Sequence, residues 1–135
     1  TGTYGQGDLT AHLREIADRM LRGMVHTLNA GPSDAASALP MDQQRDLVLM
    51  FKETLHNLTR HAQASQADIT LAQSPRQLTL TILDNGCGFV PAQAAGQGMG
   101  LTNLQRRAAK HGGSVDITSA PGKGTTIRIT LPNHG

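Results

Sequence analysis

What this sequence lacks narrows its class before any motif is read. It has one cysteine, so an internal disulfide is impossible and no second Cys completes a CxxC metal or redox motif. That usage predicts a reducing compartment. Trp is absent, and Tyr4, Phe51 and Phe89 are the only aromatic residues, too few for a base-stacking platform. Charge of one sign is also missing. Twelve Lys+Arg against ten Asp+Glu leave +2, which is no electrostatic footprint for nucleic acid, so no nucleic-acid partner is expected. Long hydrophobic runs are missing too. The longest, Leu47 to Phe51, is far short of the ~20 residues of a membrane helix. The opening segment Thr1 to Thr10 shows no charged start followed by an apolar stretch, so no secretory signal is expected.

What is present is 135 residues with fifteen glycines, the length of one ordinary domain with a single core. Thr1 to Gly7 reads as a linker or expression remnant, and residues 8–135 as the domain. Leu9, Leu13, Ile16, Ala17, Met20 and Leu21 recur at three- and four-residue intervals, which predicts a helix ended by Gly23. Met24 to Ala30 is a strand candidate closed by the turn signal Gly31-Pro32-Ser33-Asp34, and a loop follows it. From Pro40 to about Gln63 the pattern is helical again, with Leu47, Phe51, Leu55, Leu58 and Ala62 in one stripe. Asp68 to Ala72 and Leu78 to Ile82 alternate as strands around Pro75, which predicts a hairpin. Leu101 to His111 is a third helix stopped by Gly112-Gly113. Ser114 to Ser119 and Thr125 to Leu131 are two further strands. No internal repeat appears. The expected class is α+β: two layers, a mixed five-stranded sheet with three helices on one face.

Four segments carry candidate chemistry. On the second helix, Glu53, Asn57 and Arg60 stand at i, i+4 and i+7 with His61 beside them, a polar stripe on one face. A solvated surface is the bland account. An acid, an amide and two cations are not interleaved Glu and Lys, however: a carboxamide oxygen can ligate Mg²⁺ and an Arg can bind phosphate. Next, Asp84-Asn85-Gly86-Cys87-Gly88-Phe89 follows a strong strand. A plain turn does not need the second glycine; a carboxylate beside backbone that must approach a flat ligand does. Then Gly96-Gln97-Gly98-Met99-Gly100 runs into the third helix, where curled amides form an anion site. Neither the P-loop nor the G-x-G-x-x-G spacing is met. Last, Gly122-Lys123-Gly124-Thr125-Thr126 reads as a hairpin turn that can also present the Thr125 hydroxyl beside Asp84, if the two strands are neighbours.

In this order the four segments resemble the ATP-binding domain of the GHKL superfamily. They look most like the catalytic domain of two-component sensor histidine kinases of the nitrate/nitrite-sensor and DegS/DesK type. Glu53-Thr-Leu-His-Asn57-Leu-Thr-Arg60-His61-Ala62 is similar to that family's N box. Asp84-Asn-Gly86-Cys-Gly88-Phe89 is similar to its first glycine box, and Gly98-Met-Gly100-Leu101-Thr-Asn-Leu104-Gln-Arg-Arg107-Ala to its second. Ala120-Pro-Gly122-Lys-Gly124-Thr125 is similar to the closing turn before the last strand. The likeness runs from about Leu9 to Pro132.

The resemblance implies a Bergerat-type sandwich with ATP and Mg²⁺ between the second helix and a short lid, Val90 to Gly96. It implies Asn57 on Mg²⁺, Arg60 and His61 near the phosphates, and Asp84 on the adenine amino group with Thr125 beside it through water. Gly86 and Gly88 would let the base lie against the backbone, and Gly98, Gly100 and Leu101 would offer amides to the phosphates. Glu53 would be catalytic in a modest way, in positioning Mg²⁺ and water or in residual hydrolysis. Cys87 would be a tolerated spacer.

None of the six histidines has the setting of the family's phosphate acceptor, and His56 and His61 are five apart, wrong for a paired metal site. The chain therefore reads as the catalytic portion only. It would be monomeric and cytoplasmic, acting on a histidine of the dimerisation segment of a homodimeric full-length chain and upstream of a response regulator. An ATPase or anti-sigma-type serine kinase is the rival of the same class, and a regulatory nucleotide-binding module without transfer activity the rival of another.

Overall fold

The computed structural model describes residues 8–30, 40–61, 64–73, 76–86, 101–120 and 122–132. Among these residues the order is α1 (Asp8–Met20), β1 (Val25–Ala30), α2 (Met41–His61), β2 (Gln66–Gln73), β3 (Gln77–Asp84), α3 (Leu101–Lys110), β4 (Ser114–Ser119) and β5 (Thr125–Pro132). The expected linker Thr1 to Gly7 and the lid Val90 to Gly96 lie outside them.

The helices form where the apolar spacing predicts them. Leu9, Leu13, Ile16, Ala17 and Leu21 of the α1 stripe are fully buried, and Gly23 leaves the helix at φ +88°, a backbone region that suits glycine. In α2, Leu47, Met50, Phe51 and Leu55 are buried at helical intervals. Its first turn is closed by the Pro40 carbonyl, which accepts from the Gln44 amide at 2.9 Å, and by the Asp42 carboxylate, which accepts from the Gln43 amide at 2.9 Å. The end of α3 is a Schellman motif. Gly113 N–H donates to the Ala108 carbonyl at 2.8 Å and Gly112 N–H to Ala109 at 3.0 Å, with Gly112 at φ +78°.

The five strands form one mixed sheet in the order β1-β2-β3-β5-β4. β1 and β2 are parallel, joined through α2, and every other pair is antiparallel. The expected hairpin is present, with Ile69 opposite Ile82. Side chains alternate with the pleat. Ala67, Ile69 and Leu71 of β2, Leu78, Leu80 and Ile82 of β3, and Ile127, Ile129 and Leu131 of β5 are buried in one core with the three helices. The other face carries Thr79, Thr81, Thr126 and Thr130, none of them fully buried, so among the described residues the core lies on one side of the sheet. The edge at β1 is stapled by α1: Arg14 donates to the Leu28 carbonyl at 3.1 Å, and His26 Nε2 meets the Asp18 carboxylate at 2.9 Å. Occupying an edge carbonyl in this way removes a site where another strand could pair.

Candidate functional site

The topology gathers four chain segments at one end of the sheet. Strand β3 ends there, β5 starts there, β2 starts there and β4 ends there. The register Ala67↔Asp84↔Thr125↔Ser119 is one row across these strands. The sequence places Thr125 beside Asp84 only if β3 and β5 are neighbours; they are, and the two residues are direct partners.

Asp84 lies on the helix-facing side at 8% exposure, and Thr125 at 4%. Burial pushes the Asp84 carboxyl above its ordinary range, opposed by backbone N–H groups of Gly86 and Thr125. The Gly86 amide donates to Asp84 Oδ1 at 2.8 Å. A carboxylate offers about four lone-pair sites, so two backbone donors leave acceptor capacity for a ligand amine. Ser119 Oγ lies 2.8 Å from Thr125 Oγ1 and 3.1 Å from the Gly124 carbonyl, which ties the Thr125 hydroxyl into a short chain along the row. Ser119 carries no signal in the linear sequence; only the strand order brings it here.

Two neighbours hold the carboxylate in place. Asn85 Oδ1 accepts from the amides of Ser65 and Gln66, both at 2.9 Å. Its Nδ2 donates to Ser65 Oγ at 3.0 Å. The Asn85 side chain is thereby committed to locking the end of β3 onto the start of β2. Gly124 stands at φ +76°, and a Cβ there would collide with the Asp84 carbonyl oxygen. The turn before β5 can close over Asp84 only because this residue is glycine. A cleft of about 270 Å³ touches Asp84, but its wall includes Asp68 and Leu83, register partners that alternate to the face away from the helices.

The second cluster is on α2, whose last residue, His61, is four residues from Ser65. That chain reach is at most ~14 Å, so α2 ends near the Asp84 row. Asn57 is buried at 6% exposure, Glu53 is half-buried and Arg60 is exposed. The stripe thus runs from core to solvent. Arg60 Nη1 donates to His56 Nε2 at 3.2 Å, one turn back. Glu53 faces a groove of about 520 Å³ between α1, α2 and α3, walled by Arg19, Lys52, His56, Asn103 and Arg107. The larger concavity is therefore beside Glu53 and the smaller one beside Asp84. Chemistry, not cavity size, singles out Asp84 among the described residues: it is a buried carboxylate with acceptor capacity.

Gly86 and the backbone of Leu101, the first residue of α3, are where the sequence places them. Gly88, Gly98, Gly100 and Cys87, and the side chains of His61 and Leu101, lie outside the described residues. Among the described residues no cluster of three or more His, Cys, Asp or Glu could hold a metal. The donor set fits a cation held by one amide oxygen together with ligand phosphates, and does not fit an all-protein cage. Among them too, no helix is long and apolar enough to cross a membrane.

The comparisons agree with this geometry. Residues 42–135 match the family described as histidine kinase-, DNA gyrase B-, and HSP90-like ATPase. The chain is 33% identical over 96 residues to the sensor histidine kinase LiaS of Bacillus subtilis, covering 71% of this chain and 27% of that one. It is 30% identical over 93 residues to the nitrate/nitrite sensor protein NarX of Escherichia coli, covering 69% of this chain and 16% of that one. It thus spans about a quarter or less of the length of these two curated relatives. Among solved structures, the ATP binding domain of PrrB from Mycobacterium tuberculosis superposes with a TM-score of 0.71 at 21% identity, over 95% of this chain and 93% of that one. The catalytic domain of histidine kinase ThkA gives 0.73 at 12% identity, over 94% and 91%. The match over residues 42–135 shows that the chain belongs to the histidine kinase-, DNA gyrase B- and HSP90-like ATPase family, and within it the chain is similar to a part of sensor histidine kinases.

Proposed function

We propose that residues 8–135 bind ATP with Mg²⁺ and transfer the γ-phosphoryl group to a histidine on a separate dimerisation segment of the full-length chain. A response regulator is the next acceptor. The observation that carries the reading is the buried Asp84 paired in register with Thr125. A carboxylate there accepts from the exocyclic amine of adenine, and the Thr125 hydroxyl holds a water between base and protein. Gly86 and Gly88 leave room for the base against the backbone.

The triphosphate then runs toward α2 and the start of α3. Asn57 would hold Mg²⁺, which when bound neutralises charge on the phosphate oxygens. Arg60 and His61 would act near the phosphates, and the amides of Gly98, Gly100 and Leu101 would donate to them. Such a site works mainly by positioning and electrostatics. That is compatible with a net charge of only +2, since amides and one cation supply the positive potential. The acceptor imidazole nitrogen bonds to the γ-phosphorus as the bridging oxygen leaves with ADP, and the imidazole proton passes to a neighbour on the acceptor segment. Glu53, at the rim of the groove beside α2, orders water and Mg²⁺. We place the domain in the cytoplasm, where ATP is available, as a monomer that acts within a homodimeric parent.

The test is transfer of labelled γ-phosphate to a separately supplied dimerisation segment. Acid-labile, alkali-stable label on its histidine is the expected result. Label on serine of a partner would make the domain a serine kinase, and free phosphate alone an ATPase. Nucleotide binding with no transfer would make it a regulatory module. Glu53→Gln should lower transfer modestly; abolition at unchanged ATP affinity would assign Glu53 the essential base.

A further inference from the structure

We propose that Asp46 is a positioning residue for the triphosphate: it pins the far end of α3 to α2 and so fixes the phosphate-facing end of α3 against Asn57. The inference rests on the ATP site proposed above.

Asp46 is in the second turn of α2 and only 4% exposed. Among the described residues its side-chain partners come from the last turn of α3 and the residue that follows. Lys110 Nζ is 2.8 Å from Oδ2, His111 Nε2 is 2.6 Å from the same oxygen, and Arg107 Nη1 is 3.4 Å from Oδ1. Asp42, one turn earlier on α2, approaches His111 Nδ1 at 4.0 Å.

The two helices run antiparallel. Asp46 near the start of α2 meets the end of α3, while Glu53 and His56 further along α2 share a groove with Asn103 and Leu104 near the start of α3. The first residue of α3, Leu101, therefore lies toward the Asn57 end of α2. Eleven residues separate Asp46 from Asn57, about 16 Å of helix, and α3 itself is about 15 Å long.

Helix α3 also packs against β4 and β5. Among its described side chains only Leu104 and Ala108 are buried, one large and one small, a turn apart on one line. Two contacts on a line fix the distance of a helix from its neighbour better than its angle. The cluster on Asp46 supplies the missing constraint at the end opposite the phosphates. Stability alone does not require it, because an ion pair to an exposed side chain such as Lys110 contributes little.

Asp84 and Thr125 stand on β3 and β5, whereas the partners of Asp46 stand on α3 and the residue after it. Loss of the pin should therefore separate two affinities that a general loosening of the fold would lower together. Affinities of the chain for ATP with Mg²⁺ and for adenosine are measured by calorimetric titration, with displacement where binding is weak. Asp46→Asn should weaken ATP about tenfold and leave adenosine within about twofold. Lys110→Met removes a side chain that is 61% exposed and so spares the fold; it should weaken ATP about threefold with adenosine unchanged. If either variant lowers both affinities in the same ratio, or changes neither while Tm falls, Asp46 is merely structural and the inference is overturned. If the unaltered chain binds neither ligand, the nucleotide-site reading itself fails and takes this inference with it.

Discussion

At the scale of single residues the site is a compromise between folding and binding. Asp84 is buried on the core side of β3 with its carboxyl pushed above the ordinary range, burial being the larger influence and the Gly86 and Thr125 amides opposing it. A raised carboxyl disfavours the charged form, so its ionisation works against the fold at neutral pH and the penalty disappears as pH falls through the raised value. Asp84→Asn keeps the shape and an oxygen for the Gly86 amide while removing that penalty. The variant should melt at a slightly higher temperature than the parent and lose nucleotide affinity. A hydrogen bond to a charged group contributes about 1.5–3 kcal/mol, which sets the loss at roughly tenfold to a hundredfold. The ionised form is the one that accepts from adenine, so affinity in the parent should also fall on mild acidification, beginning above the range of an ordinary carboxylate. Calorimetric titration of both proteins across pH checks this; unchanged affinity in Asp84→Asn would sink the adenine assignment.

At the scale of elements, one turn and one staple set the geometry. Gly122 and Gly124 sit in the same turn with nearly equal φ, +77° and +76°, yet a Cβ on Gly122 meets nothing within 4 Å while one on Gly124 strikes the Asp84 carbonyl. Gly122→Ala should cost only the left-handed strain, about 1 kcal/mol. Gly124→Ala should cost clearly more by chemical denaturation and weaken nucleotide binding as well, because relief requires the turn to move away from Asp84. Equal costs would mean that the close approach is not tight. The staple between α1 and β1 carries a pH signature of the opposite kind. His26 has acceptors on both ring nitrogens, the Met24 carbonyl at 2.9 Å and Asp18 at 2.9 Å, and only the imidazolium donates to both. Its pKa is raised, chiefly by the Asp18 hydrogen bond and then by the Met24 carbonyl, against some burial. The stabilisation is thus fully present below the unfolded pKa near 6.5 and lost as pH rises through the folded one. Asp18 is 67% exposed, so the effect is under about 1 kcal/mol. The Tm gap between the parent and His26→Gln should shrink from pH 6 to pH 8.5; a gap that widens would refute the assignment.

These elements also mark what a linear reading can reach. The helices, the β2–β3 hairpin and the Gly112-Gly113 cap are written in local periodicity and turn chemistry, and they stand where those signals put them. Asp84 and Asn57 were legible because a carboxylate before two glycines, and an amide in an acid-and-cation stripe, are odd company for a plain turn or a solvated face. Ser119 and Asp46 were not. Ser119 joins the site only because β5 sits between β3 and β4, and Asp46 meets partners sixty-one to sixty-five residues away. Both depend on pairings of distant segments that no local pattern encodes. The lock of Asn85 onto Ser65 and Gln66 is of the same kind, since an Asn in a turn announces a backbone bond but not a partner twenty residues back.

For the whole molecule the consequence is that the two halves of the proposed site belong to different layers. The adenine end is set by the sheet row Ala67, Asp84, Thr125 and Ser119; the phosphate end is set by α2 and α3, which touch each other through the Asp46 cluster and the Leu104 contact. On the proposed assignment ATP would span both layers and adenosine only one, so ATP should act as a cross-link between them. A ligand that binds only the folded state stabilises it by about 2.7 kcal/mol at one hundred times its Kd, on the order of 10 °C in Tm for a domain of this size. Saturating ATP with Mg²⁺ should therefore raise Tm by about that amount. Adenosine at an equal multiple of its own Kd should give the same shift, because linkage depends on occupancy alone. The layers differ in local opening. With adenosine, amide hydrogen exchange should slow along β3 and β5 but remain fast at the start of α3; with ATP it should slow at both. Equal protection of α3 by the two ligands would mean that the sheet alone orders that helix and that the phosphates do not reach it.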